Sequence, residues 1–135
     1  MVSRQKRIIG KVRKFSGRGN KLGFPTANLN LHKKIPEGVY LCIVKINFKT
    51  AGPRTRGLYQ ALAFIGNPKT FNDPIKRVEV HIPDLNKNLY NQWISVKLIK
   101  KIRANKKFKN KQTLIKQIKK DINVFRNSSI LTTNH

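Results

Sequence analysis

The chain is poor in carboxylates, and this narrows the chemistry open to it. Of 135 residues only Glu37, Asp73, Glu79, Asp84 and Asp121 are acidic. A general base of carboxylate type must be one of these five. Glu79 lies in a segment, Arg77 to Ile82, that alternates cleanly. In an extended strand Val78, Val80 and Ile82 project to one face, and Arg77, Glu79 and His81 to the other. A carboxylate on such a polar face can orient a hydroxyl nucleophile or take its proton. It can equally be a surface glutamate paired with Arg77 or a nearby lysine. His81 shares the face and has three readings: it orients Glu79, borders a ligand, or is a plain structural histidine.

A second pair of candidates is Thr26 and Asn28. Two apart in an extended segment, they project to the same side. Their hydroxyl and carbonyl oxygens are hard neutral donors suited to Mg²⁺, which keeps several waters and takes further ligands from nucleotide phosphates. Turn hydrogen bonds would use the same atoms. Ahead of them runs Gly17-Arg18-Gly19-Asn20-Lys21-Leu22-Gly23. Glycines admit close approach of backbone N–H groups to phosphate, and Arg18 and Lys21 add charge. A glycine-rich hairpin has the same look. No G-x-x-x-x-G-K-[ST] spacing occurs in the chain, so this is not a Walker A loop. The single cysteine, Cys42, sits in an apolar run and reads as a core residue.

These side chains need a scaffold. Strands are expected at Ile8 to Val12, Val39 to Phe48, Leu58 to Ile65, Arg77 to Ile82 and Trp93 to Ile99, with a short extended piece at Ala27 to Leu31. Phe15 to Phe24, with Gly17, Gly19 and Gly23, is expected to be a loop, and Thr50 to Gly57 a polar connection. Asn110 is placed to cap a helix from Lys111 to Phe125, docked by Leu114, Ile118, Ile122 and Phe125 with Ile115 beside them. Short strands followed by one helix give an all-β domain, closed as a barrel to remove exposed edges. One domain is expected over residues 1–125, with 126–135 a frayed tail.

The charge is extreme: thirty Lys and Arg give a formal +25. Lys, Asn and Ile are abundant together, and the basic residues are spread along the chain, which favours compositional drift in an A/T-rich genome. Nucleic-acid binding is the competing reading. Against it, aromatics are 8% and do not cluster in one strand, as a base-stacking platform needs. A basic surface suits anionic small molecules such as nucleotides in either case. No signal peptide and no apolar run of membrane-span length is present, so a cytoplasmic protein without membrane contact, and a monomer, are expected.

Leu22-Gly23-Phe24-Pro25-Thr26-Ala27-Asn28-Leu29 resembles the signature of the riboflavin kinase family. Further blocks are similar in the same order: Pro36-Glu37-Gly38-Val39-Tyr40; Phe64 to Phe71; Val78 to Ile82 followed by Asn88-Leu89-Tyr90; and Ile102-Arg103, Lys107-Phe108, Leu114, Ile118 and Asp121. The resemblance spans about residues 8 to 123. It implies a six-stranded antiparallel Greek-key barrel with a C-terminal helix. It also implies transfer of the ATP γ-phosphoryl group to the ribityl 5′-hydroxyl of riboflavin, giving FMN and ADP. By the same resemblance Glu79 is the catalytic base, and Thr26 and Asn28 hold Mg²⁺. Gly17, Arg18, Gly19, Lys21, Gly23, Pro25, Thr26, Asn28 and Arg103 are then the binding residues for ATP and flavin. The chain departs from the family pattern at Phe15, Lys69, Asn91 and Asn105; Asn91 falls at a turn that needs positive φ, which asparagine tolerates. Many bacterial members of the family it resembles carry this domain behind an FMN adenylyltransferase domain. There is no His-x-Gly-His motif here, and the start of the kinase-like region directly after Met1 leads to the expectation of a stand-alone enzyme.

Overall fold

A computed structural model describes residues 6–17, 23–46, 57–66, 76–106 and 108–127. The strands are β1 (Arg7–Lys11), β2 (Lys14–Ser16), β3 (Thr26–Leu31), β4 (Gly38–Ile46), β5 (Leu58–Gly66), β6 (Lys76–His81) and β7 (Trp93–Arg103), followed by helix α1 (Lys111–Arg126). All pairings are antiparallel, in one curled sheet of order β1-β7-β4-β5-β6-β3-β2. β7 returns beside β4 after the β4-β5-β6 meander, which is Greek-key order. No described helix is long and apolar enough to cross a membrane.

Six strands were expected; among the described residues there are seven. The first extended segment changes partners at Val12–Arg13. Val12 N–H donates to Gln92 O (2.9 Å), continuing the β1–β7 ladder, and Arg13 N–H then donates to Asn28 O (2.8 Å). Lys14, Phe15 and Ser16 therefore pair with Asn28, Ala27 and Thr26, where a loop was expected from Phe15 onward. The two ends of the sheet are consecutive lengths of chain, so the bend at Val12 curls the sheet toward a barrel. β7 also runs past its expected end at Ile99, held to β4 across two register shifts that bring Arg103 opposite Val39.

The alternation read from the sequence sets the interior. Val78, Val80 and Ile82 are fully buried with Ala27, Leu29, Cys42, Val44, Ile94 and Val96. β4 is apolar without interruption from Val39 to Val44 because it is covered on both faces. Tyr40, Cys42 and Val44 enter the interior, while Val39 and Leu41 join Leu62 and Phe125 beneath α1. Burial pushes the Cys42 thiol far above its ordinary pKa, so it is an inert core group. Asn110 caps α1 as expected, its Oδ1 accepting from Thr113 N–H at 3.0 Å. Asn91 takes φ 67°, the positive value its turn requires. Arg18, Gly19, Asn20, Lys21 and Leu22, most of the polar connection before Gly57, the 67–71 turn and the tail from 128 lie outside the described residues.

Candidate active site

The registers of β3, β5 and β6 line up one row of side chains. Asn28 is the cross-strand partner of Glu79, and Glu79 that of Phe64. Their neighbours in sequence enter the core, so all three stand on the outer face. The next row on that face holds Thr26 and Leu62 either side of His81. The polar face of β6 thus meets the expected oxygen donors of β3 edge to edge.

Glu79 and His81 form the tightest contact of the site. His81 Nε2 lies 2.6 Å from Glu79 Oε1. An ionised carboxylate only accepts, so Nε2 carries the hydrogen and donates. The imidazole is 1% exposed, while the Glu79 side chain keeps 43% of its surface open. His81 is held between Phe24 and Phe64, with ring centroids 5.1 and 4.3 Å away, and its buried Nδ1 has no hydrogen-bond partner. The hydrogen bond from His81 holds the Glu79 carboxyl below its ordinary pKa, overcoming the burial that pushes it up; the charge on His81 when protonated acts in the same direction. Glu79 is therefore an ionised carboxylate at neutral pH, fixed at one oxygen and presented to solvent.

A cavity of about 330 Å³ opens over this row, lined by Asn28, Phe64, Ile65, Gly66, Arg77, Glu79 and Asn105. Asn105 reaches in from the end of β7 and donates through Nδ2 to Ile65 O at 2.9 Å. Arg77, which also lines this cavity, donates through Nη1 to Asn30 Oδ1 at 2.9 Å. A second cavity, about 450 Å³, is lined by Phe15, Gly17, Pro25, Leu85, Asn86, Lys87 and Asn88.

The structure brings Glu79 and Asn28 together in one cavity and places Thr26, buried, one step along the same face. Gly17 and Pro25 line the other cavity. Gly23, at φ 81°, makes the turn that leads into Phe24. Arg103 lines neither cavity. Its Nε and Nη2 grip Asp121 Oδ1 and Oδ2 at 2.9 and 2.7 Å, and its guanidinium sits 5.8 Å from the centre of the Phe64 ring. Arg18, Gly19 and Lys21 lie outside the described residues. Sequence reasoning missed Phe24 and Phe64 as the walls of the His81 slot. Asn105 was noted only as a departure from the family pattern, and its place in the cavity wall was missed. Phe64 had a signal: it occupies the outward position between the core residues Ala63 and Ile65.

Among the described residues no three His, Cys, Asp or Glu gather to hold a metal ion. The donors on the β3 face are neutral oxygens, with one carboxylate, Glu79, beside Asn28. Such a set fits a Mg²⁺ ion that arrives with nucleotide phosphates and is not caged by protein carboxylates.

Residues 2–129 match the riboflavin kinase (flavokinase) family profile, and the chain belongs to that family. It is 33% identical over 124 residues to the bifunctional riboflavin kinase/FMN adenylyltransferase of Haemophilus influenzae, covering 90% of this chain and 38% of that protein. It is 32% identical over 118 residues to an RNA-binding riboflavin kinase of Bacillus subtilis, covering 85% of this chain and 47% of that one. The fold is shared with the riboflavin kinase of Trypanosoma brucei, at TM-score 0.56 and 24% identity over 90% of this chain and 77% of that one. The chain thus spans less than half the length of these two sequence relatives.

Proposed function

We propose that this chain phosphorylates riboflavin, transferring the γ-phosphoryl group of ATP to the ribityl 5′-hydroxyl to give FMN and ADP. The observation that carries the reading is the cross-strand pair Asn28–Glu79, opening together into the 330 Å³ cavity. That volume is at the lower end of ligand sites, about 300–1,000 Å³, and suits a site that receives a ribityl chain beside an apolar wall. Phe64 supplies that wall.

Phosphoryl transfer of this kind passes through a loose transition state, so the protein's work is positioning and charge neutralisation. Glu79 accepts a hydrogen bond from the attacking hydroxyl on its free side while His81 holds the other oxygen. Its lowered pKa makes it a weak base. It therefore fixes the hydroxyl's direction first and takes the proton late, as the new P–O bond forms. Asn28 and Thr26 hold the magnesium nucleotide from the neighbouring strand. When bound there, Mg²⁺ would supply positive charge to offset that of the phosphate oxygens. Gly17 and Pro25 place the 450 Å³ cavity next along β2 and β3, and Lys87 gives it a cation, which suits the rest of the nucleotide. Nucleic-acid binding is the second reading, favoured by the +25 charge and by the name of the Bacillus subtilis relative.

The test is chromatographic detection of FMN from the folded chain with riboflavin, ATP and Mg²⁺. Turnover is expected from the wild type. Asn28→Ala should lower it at least tenfold and raise the magnesium-nucleotide concentration needed for half-maximal rate. Folded wild-type protein that makes no FMN would overturn the reading.

A further inference from the structure

The one tryptophan of the chain stands outside the catalytic row, and its surroundings are chemically specific. Trp93 begins β7 and is 44% exposed; Ile9, on the adjoining strand, is 50% exposed. Lys11 is the direct cross-strand partner of Trp93, and its Nζ lies 6.0 Å from the centre of the indole. A cavity of about 300 Å³ is built around them, lined by Ile9, Gly10, Lys11, Arg13, Asn30, His32 and Trp93. Two exposed apolar surfaces, cations and neutral polar groups thus converge from β1, β7 and the end of β3.

This cavity is the seam of the curled sheet. β1 pairs with β7, and β3 with β6 and β2; between β1 and β3 the join is Arg13 N–H to Asn28 O, at one end. Beyond it, long side chains span the seam: Lys33 Nζ donates to Arg7 O at 2.6 Å, and Lys6 Nζ to Lys34 O at 3.4 Å. Strand parity decides where the backbone donors point. Lys6 O bonds to β7 and Val12 N–H to Gln92 just before it, so the alternate residues turn their N–H and C=O groups toward the seam: Arg13 N–H and Arg7 O are bonded across it, and Ile9 and Lys11 have the same parity. Lys6, Arg7, Lys11, Arg13, Lys33 and Lys34 border it, while the ion pairs at Glu79, Asp121 and Asp84 lie elsewhere.

We infer that the β1–β3 seam binds single-stranded nucleic acid, with a base stacked on Trp93 against Ile9 and the flanking phosphates held by Lys11, Arg13 and the N–H groups at the β1 edge. Charge complementarity selects this occupant: a chain of net charge +25 presents here a cluster of cations that a polyanion neutralises at once, releasing counterions. The indole selects a strand with accessible base faces over a duplex or an acidic peptide, because base–aromatic stacking is sequence-tolerant and needs an unpaired base. When a base stacks, Lys11 gives up the indole face and takes the adjacent phosphate. Asn30 and His32 add hydrogen-bonding groups at the far wall. Trp93, Lys11 and Arg13 line neither of the cavities assigned to phosphoryl transfer.

Fluorescence anisotropy of the full chain with a labelled single-stranded RNA of about 12 nucleotides, within the span of such sites, tests this. Trp93→Ala should weaken binding about tenfold, the scale of losing one stacked base, and Trp93→Phe should retain most of it. The Lys11→Glu/Arg13→Glu pair should weaken binding more than Lys119→Glu/Lys120→Glu on α1, which changes net charge equally. Each variant is checked for the wild-type circular dichroism spectrum. Equal losses from the two charge-reversed pairs, no effect of Trp93→Ala in the folded protein, or equal competition by polyglutamate or by the duplex would overturn the inference.

Discussion

His81 is buried at its ring and bonded at one nitrogen, and Glu79 depends on it. Remove the donor and the burial of Glu79, which pushes its pKa up, is left unopposed. In the wild type the acid limb of kcat/KM for FMN formation should lie below the ordinary glutamate range. In His81→Leu, which keeps an apolar filler between Phe24 and Phe64, that limb should move up, and kcat should fall. The same shift has a sign for stability: a depressed folded-state pKa contributes stability above the ordinary glutamate value, and this is lost as pH falls through the folded value. An unmoved acid limb in His81→Leu would remove His81 from its positioning role. At this scale the sequence was informative about which residues share a face, because period-two alternation is local. It offered a contact between Glu79 and His81 as one of three readings of the histidine, and named Arg77 as another partner for Glu79. The imidazole is fixed beside Glu79 by Phe24 and Phe64, which come from other segments.

The element most exposed to a single substitution is α1. It docks on Val39, Leu41 and Leu62 through Phe125 and Ile122, and it is pinned by the Arg103–Asp121 pair. The side chains of these two residues are 14% and 3% exposed, with Gln117 Nε2 also donating to Asp121 at 3.2 Å. Asp121→Ala leaves a mostly buried guanidinium without its carboxylate and should cost about 3 kcal/mol in denaturant unfolding. An Arg103→Met/Asp121→Leu double variant should cost less than the single change, because it removes both charges together. A double variant as damaging as Asp121→Ala would mean that the packing of α1, and not the ion pair, sets its docking. The helix and its cap were legible from the 3.6-residue stripe and Asn110. The role of Arg103 was read toward the ligand; its partner eighteen residues on could not be seen, since tertiary pairing leaves no local period. β2 was invisible for another reason: three residues beside a glycine-rich stretch carry too little alternation to announce a strand.

At the scale of the molecule, the register of a curled sheet brings the two halves of the proposed site together. The β3–β6 ladder sets Asn28 against Glu79, and the bend at Val12 brings the first strand around to complete the wall with Phe15 and Gly17. The ordered blocks of the sequence, from Leu22 to Asp121, already carried the family, and two of them hold Asn28 and Glu79, which the ladder makes neighbours. The cavities were not legible, since their walls join residues as distant as Asn28 and Asn105. The most direct measurement of the central claim is FMN formation by the wild type and by Glu79→Gln, compared with riboflavin, ATP and Mg²⁺ in excess. Glutamine keeps the size and the acceptor oxygen toward His81 but cannot take a proton. The account predicts turnover by the wild type and a loss of at least a hundredfold in a variant with unchanged unfolding midpoint. Glu79→Gln turning over at the wild-type rate would contradict it.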